Sequence, residues 1–182
     1  MSLLGEHLSK NYNLDLQNLV THFAKMGGMA EQNLSEAIQS LVETNGELAD
    51  KVIENDRKIN LAEKELDDMV VKILVKRQPA ASDLRLIMSV SKSSTDIERI
   101  GDESKKIAKM ARRAYRDGQQ APLGYHEAHQ MAKVVQEMLK NALEAFAKFD
   151  NQLAYKVIEL DDEIDTMYKS SSRAMMTYIM ED

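Results

Sequence analysis

Between Asp15 and Asn45 the apolar residues Leu16, Leu19, Phe23, Met26, Ala30, Leu34, Ala37, Ile38 and Leu41 recur every three or four positions. That interval matches the α-helical turn and gathers the side chains on one face of a long helix. Asn45-Gly46 supplies a stop. A second stripe, Leu48, Val52, Ile59, Leu66, Val70 and Ile73, predicts a helix over 47–76. Arg77-Gln78-Pro79 breaks it, because proline steers the residue before it away from helical geometry. Leu84, Ile87, Val90, Ile97, Ile107, Ala111 and Ala114 predict a third helix over 80–116. Asp117-Gly118 through Pro122-Leu123-Gly124 reads as a loop, and two further helices are expected over 125–149 and 152–180. Period-two alternation is never sustained, so the expected fold class is all-α.

The pattern also repeats. When residues 37–61 are laid on 142–166, an offset of 105, nine positions are identical: Ala37, Leu48, Ala49, Lys51, Val52, Ile53, Glu54, Asp56 and Ile59 meet Ala142, Leu153, Ala154, Lys156, Val157, Ile158, Glu159, Asp161 and Ile164. Amphipathic helices share apolar spacing as a matter of course, but not an Ala-x-Lys-Val-Ile-Glu-x-Asp string. The chain is therefore expected to hold two copies of one helical unit. The point in the second copy that corresponds to Arg77 is Asp182, the last residue, so the second unit is expected to lack its third helix.

Composition narrows the chemistry. Seven Gly and two Pro in 182 residues leave little material for turns, which agrees with long helices. With no Cys, thiol catalysis, disulfides and Cys-ligated metals are excluded. Thirty acidic against 24 basic side chains give a net charge of −6, which disfavours nucleic acid as a partner. No apolar run approaches the ~20 residues of a membrane span, and the N-terminus shows no basic segment followed by an apolar one, so no membrane insertion and a cytoplasmic location are expected.

Asp56 interrupts the stripe between Val52 and Ile59, with Asn60 one turn later; Asp161 and Asp165 repeat the pattern. On the third predicted helix Ser91, Thr95, Glu98 and Asp102 form a polar ridge at spacings of four, three and four. Such carboxylates either pair with Lys or Arg, with Lys58, Arg99 and Lys105 at hand, or ligate a hard or borderline cation through oxygen. An antiparallel hairpin about Gln78 brings the two sets together, since Asp56 lies 22 residues before it and Glu98 20 after. The His residues at 7, 22, 126 and 129 form no clear ligand motif. Lys105, Lys106, Lys109, Arg112, Arg113 and Arg116 form a basic tract that complements a helix C-terminus or docks an acidic partner. There is no phosphate-binding glycine loop or nucleophile elbow, so an enzyme is not expected.

Arg77-Gln78-Pro79-Ala80-Ala81-Ser82-Asp83-Leu84-Arg85, followed by Asp96-Ile97-Glu98-Arg99-Ile100-Gly101-Asp102, resembles the PhoU family of phosphate-signalling proteins, and Asp56-x-x-x-Asn60 and Asp161-x-x-x-Asp165 fit its repeated helix signature. The resemblance implies a repeat of antiparallel three-helix bundles: an extension over 1–14, a first repeat over 15–117, and a second, two-helix repeat over 125–182. It also implies a negative regulator of phosphate uptake and of the phosphate-starvation response, an adaptor between the phosphate ABC transporter and its sensor histidine kinase. Acidic motifs bind metal in some members, which carries over to Glu98, Asp102, Asp161 and Asp165. The combined candidate ligands are Asp56, Asn60, Glu98, Asp102, Asp161 and Asp165, and the expected cofactor is a divalent or ferric ion (Mg, Ca, Mn, Fe or Zn).

Two other classes compete with the adaptor: a metal-binding helical bundle used for storage or as a metal-dependent enzyme, and a structural helical dimer module. Without a third helix, the second unit is expected to leave an apolar strip of Met131, Leu139, Leu143, Phe146, Val157 and Ile164 uncovered. A homodimer is the expected consequence.

Overall fold

The computed structural model of the chain describes residues 10–118 and 125–181. Five helices account for nearly all of them: α1 (Lys10–Val42), α2 (Gly46–Arg77), α3 (Ala81–Asp117), α4 (Tyr125–Lys148) and α5 (Asn151–Glu181). His7 and the predicted loop at 119–124 lie outside the described residues. Helices α1, α2 and α3 pack against one another in all three pairings. Helix α4 packs on α1 and on α5, and α5 packs on α4 alone.

Helix α1 starts at Lys10, five residues before the expected Asp15. The extra turn is fixed by Tyr12, which is buried and donates a hydrogen bond to the buried Asp83 at 2.9 Å. Asp83 also corrects the reading of α3. Leu84, expected in the core, is 40% exposed. The buried stripe begins at Asp83 and continues through Ile87, Val90, Ser94, Ile97, Gly101, Ser104, Ala108 and Ala111. A carboxylate takes the first inward position because a tyrosine hydroxyl is there to meet it.

The first turn differs as well. Helix α1 ends at Val42, and Asn45 belongs to the next helix, whose free Leu48 N–H donates to Asn45 Oδ1 at 3.0 Å. The carbonyl of Ser40 accepts from Asn45 N at 2.8 Å, with Thr44 left-handed at φ 48°. Add 105 to each number and the α4–α5 turn appears. Ala145 O accepts from Asp150 N at 2.9 Å, Phe149 has φ 52°, and Leu153 N donates to Asp150 Oδ1 at 3.0 Å. The repeat thus extends through a turn whose residues, Thr-Asn against Phe-Asp, have diverged.

The core of the three-helix unit falls into two clusters. The larger includes Leu16, Leu19, Met26, Ile59, Leu66, Ile87 and Ile97; the smaller holds Ala37, Ala49, Val52, Ala108 and Ala111. Truncating a fully buried leucine such as Leu66 costs about 2–5 kcal/mol. Helix α4 joins the larger cluster through Leu143 and Phe146. The rings of Phe23 and Phe146 stand 4.6 Å apart. Gly27 lets the helices approach, since a Cβ there would lie 2.5 Å from Leu143 Cδ2.

Burial separates the repeat copies. Val52, Asp56 and Ile59 are buried beneath α3, whereas Val157 and Ile164 are half-buried and Asp161 is exposed. No third helix covers α4 and α5 among the described residues. The apolar groups most exposed on α5 are Tyr155, Ile158, Tyr168, Met176 and Met180. Of the expected strip, Leu139 is buried and Met131, Leu143, Phe146, Val157 and Ile164 are half-buried, because α1 and the α4–α5 contact cover them.

Candidate functional site at the α2–α3 interface

Asp56 lies in the gap between the two apolar clusters, one turn from Val52 on one side and from Ile59 on the other, and has no exposed surface. An ionised carboxylate there requires a partner. Lys105, one helix turn beyond Gly101 on α3, provides it: Nζ donates to Asp56 Oδ2 at 2.6 Å and stands 3.6 Å from Asp102 Oδ1. Gly101 permits the close approach, because a Cβ would stand 3.2 Å from Ile59 Cδ1 and 3.5 Å from Asp56 Oδ1. The hydrogen bond that Lys105 donates to Asp56, with the charges of Asp56 and Asp102, outweighs partial burial and raises the Lys105 pKa, holding the ammonium protonated.

Glu98 lies beside this pair. Burial first, then the negative charges of Asp102, Glu63 and Asp56, raise its carboxyl above the usual range, while Lys105 opposes them. Glu63 is tied in from α2 by a hydrogen bond from Thr95 Oγ1 at 3.3 Å. The interface is therefore an acidic ridge of Asp56, Glu63, Glu98 and Asp102 around one lysine.

The six residues singled out from the sequence fall into two groups. Asp56, Glu98 and Asp102 come together, and Asn60 follows Asp56 by one turn with its Oδ1 buried and unpartnered. Asp161 and Asp165 sit apart on α5, both exposed, with Asp165 taking a hydrogen bond from Lys169 at 3.3 Å. Asp56 Oδ1 is likewise buried without a partner. Two orphaned oxygens suit a hard cation, but the positive charge at Asp56 is already supplied by Lys105. Among the described residues no group of three or more His, Asp or Glu is placed to hold a metal ion. In this arrangement the cation beside Asp56 is a lysine.

Of the three cations weighed for Asp56, Lys58 points elsewhere and donates to Asn55 Oδ1 at 2.8 Å. The basic tract is largely paired at home: Lys106 with Glu103, Arg112 with Asp50 and Arg113 with Asp117. Sequence reasoning passed over Asn33, buried in α1 with both amide atoms unpartnered. Its position between Ala30 and Ala37 on the inner face was the available signal. It also passed over the clamp of Arg77 on Asp15, 2.9 Å from Nη2 to Oδ2, which holds the α2 terminus against α1.

The PhoU domain profile matches the chain twice, over residues 23–111 and 128–182. The chain belongs to the PhoU family. It is 43% identical over 179 residues to the phosphate-specific transport system accessory protein PhoU homolog of Pseudomonas aeruginosa, covering 98% of this chain and 74% of that one. With the PhoU of Escherichia coli strain K12 the identity is 38%, covering 98% and 73%. The crystal structure of PhoU from Pseudomonas aeruginosa superposes with a TM-score of 0.90 at 43% identity, over 94% of this chain and 81% of that one. The PhoU phosphate transport system regulatory protein from Streptococcus pneumoniae gives a TM-score of 0.84 at 27% identity, over 94% and 80%. The all-helical PhoU architecture expected from the Arg-Gln-Pro and Glu-Arg-Ile-Gly-Asp segments is thus the one observed. No described helix is long and apolar enough to cross a membrane.

Proposed function

We propose that this chain is a cytoplasmic negative regulator of phosphate uptake and of the phosphate-starvation response, an adaptor between a phosphate ABC transporter and its sensor histidine kinase, with no catalysis of its own. The observation that carries the reading is the 43% identity, sustained over 98% of the chain, to a protein named as an accessory of the phosphate-specific transport system. The geometry supports it in kind. The buried Asp56 of the acidic ridge is paired with a structural lysine, while long helical faces stand open to partners, above all the uncovered side of α5 with Tyr155 and Ile158. A second copy of the chain docking on that side accounts for the exposed apolar groups and makes the working form a homodimer.

The test is co-purification of the tagged chain with the transporter's ATPase subunit and with the kinase, alongside a phosphatase reporter in cells lacking the gene. Retention of either partner and reporter activity released in high phosphate are expected. Capture of neither, with an unchanged reporter, refutes the reading.

A further inference from the structure

Asn33 occupies an inward position of α1 where the apolar period calls for a hydrophobic residue, and it is 1% exposed. Neither Nδ2 nor Oδ1 has a hydrogen-bond partner. Folded proteins rarely leave a buried amide in that state unless a water or a ligand completes it. Asn33 lines a cleft of about 300 Å³ between α1 and α2, together with Met29, Gln32, Lys51, Asn55 and Lys58.

The charges of this cleft are unequal. Lys51 Nζ is 2.6 Å from Glu36 Oε1, which also accepts from Gln32 at 2.9 Å. Glu36 is the one carboxylate bonded to the lining residues, and it is matched by Lys51. Lys58 donates only to the neutral amide of Asn55 at 2.8 Å. Its charge has no carboxylate partner among the described residues, so the cleft favours an anion. Asn33 adds a stricter demand, since it offers a donating NH2 group and an accepting carbonyl oxygen, both unpartnered. A ligand that satisfies both, beside a lysine, is a small oxyanion that still carries a proton at neutral pH.

We infer that the α1–α2 cleft binds inorganic phosphate, its unprotonated oxygens accepting from Lys58 Nζ and Asn33 Nδ2 and its P–OH donating to Asn33 Oδ1. Sulfate has the same shape but no proton to give at this pH. Bicarbonate has the proton but is planar, with one oxygen fewer to accept hydrogen bonds. The inference rests on Asn33 and its surroundings and stands apart from the adaptor reading, which is tested on partners rather than on a small ligand.

Calorimetric titration of the purified chain at pH 7 in phosphate-free buffer tests it, with phosphate, sulfate and bicarbonate as separate titrants. One saturable phosphate site is expected, with sulfate and bicarbonate each at least about tenfold weaker, the scale of one lost charge-assisted hydrogen bond. Asn33→Leu and Lys58→Met each weaken phosphate by about tenfold or more, while Lys64→Met, outside the cleft, leaves it unchanged. Lys58 is a rim residue, so its variant decides the matter even where Asn33→Leu fails to fold. Absence of a saturable phosphate site, equal affinity for sulfate, tighter binding of bicarbonate, or an unaltered Lys58→Met each overturns the inference.

Discussion

Lys105 of α3 reaches across the helix interface and places Nζ 2.6 Å from Oδ2 of Asp56, a carboxylate on α2 with no exposure. The lysine keeps 27% of its side chain in contact with solvent. The pair spans the gap between the two apolar clusters and fixes the register of α2 against α3 at that level.

Removing one member strands the other. Lys105→Met is expected to destabilise the fold by about 3 kcal/mol, the low end for a broken buried pair because Lys105 is partly solvated. Adding Asp56→Asn recovers most of the loss. Urea denaturation of the two single variants and the double measures the coupling, and fully additive costs contradict it.

The lysine also governs any metal. Protein purified without chelator is expected to carry well under one equivalent of divalent metal, and Lys105→Ala to carry more, because Asp56, whose Oδ1 already lacks a partner, then loses its cation. Elemental analysis decides. A stoichiometric ion in the parent protein that disappears in Asp56→Ala, Glu98→Ala shows that metal displaces the lysine.

Tyr12 clamps the first turn of α1 to the start of α3 through Asp83. Tyr12→Phe is expected to cost about 1.5–3 kcal/mol, as for a hydrogen bond to a charged group. Burial first, then the bond to Asp83 and its charge, push the phenol up to about 12 from 10.0. A pKa raised on folding gives stability that is complete below 10 and fades as pH rises toward 12. The difference between parent and Tyr12→Phe therefore closes across that alkaline window, and a difference constant through pH 12 denies the clamp.

Glu98 works in the opposite sense at neutral pH. Burial and the surrounding Asp102, Glu63 and Asp56 raise its pKa, so the folded state holds the Glu98 proton more tightly than the unfolded chain does. Its contribution is favourable below the unfolded pKa and is lost as pH climbs through the folded one. Glu98→Gln is expected to melt higher than the parent at pH 7, with the gain shrinking in acid. A variant that melts lower at pH 7 shows that ionised Glu98 is held by something stronger than these neighbours.

The open side of α5 carries Tyr155 and Ile158, 67% and 63% exposed. Ile158→Asp is expected to shift a concentration-dependent dimer to monomer without lowering the melting temperature of the monomer. Sedimentation velocity from micromolar to tens of micromolar protein reads the result. A parent that stays monomeric throughout removes the dimer.

Helix number and extent were legible because nearly every inward position is aliphatic and turn-forming residues are scarce. The repeat was legible too, and Thr44 and Phe149 show that it is conformational as well as compositional. Asn45 was misassigned because asparagine serves both as a helix stop and as an N-cap, and only the hydrogen bond to Leu48 separates the roles. Asp83 and Leu84 are adjacent, so a shift of about 100° around the helix decides which faces inward. Sequence alone favoured the leucine. The meeting of Asp56, Glu98 and Asp102 followed from counting residues about Gln78, yet the choice of Lys105 over Lys58 and Arg99 depends on side-chain reach. Asn33 was legible only as an amide on the inner face between Ala30 and Ala37; that both its polar atoms lack partners depends on the packing around it.

Gly27 with Leu143 and Phe23 with Phe146 belong to the α1–α4 packing, the one helix pairing that joins α4 and α5 to the other three among the described residues. Helix α5 has 31 residues and, at 1.5 Å per residue, extends roughly 46 Å. It is a lever whose fulcrum is one glycine-lined contact: a rotation of roughly 5° there moves a point at that distance by about 4 Å, enough to engage or release a docked surface while the three-helix core stays as it is.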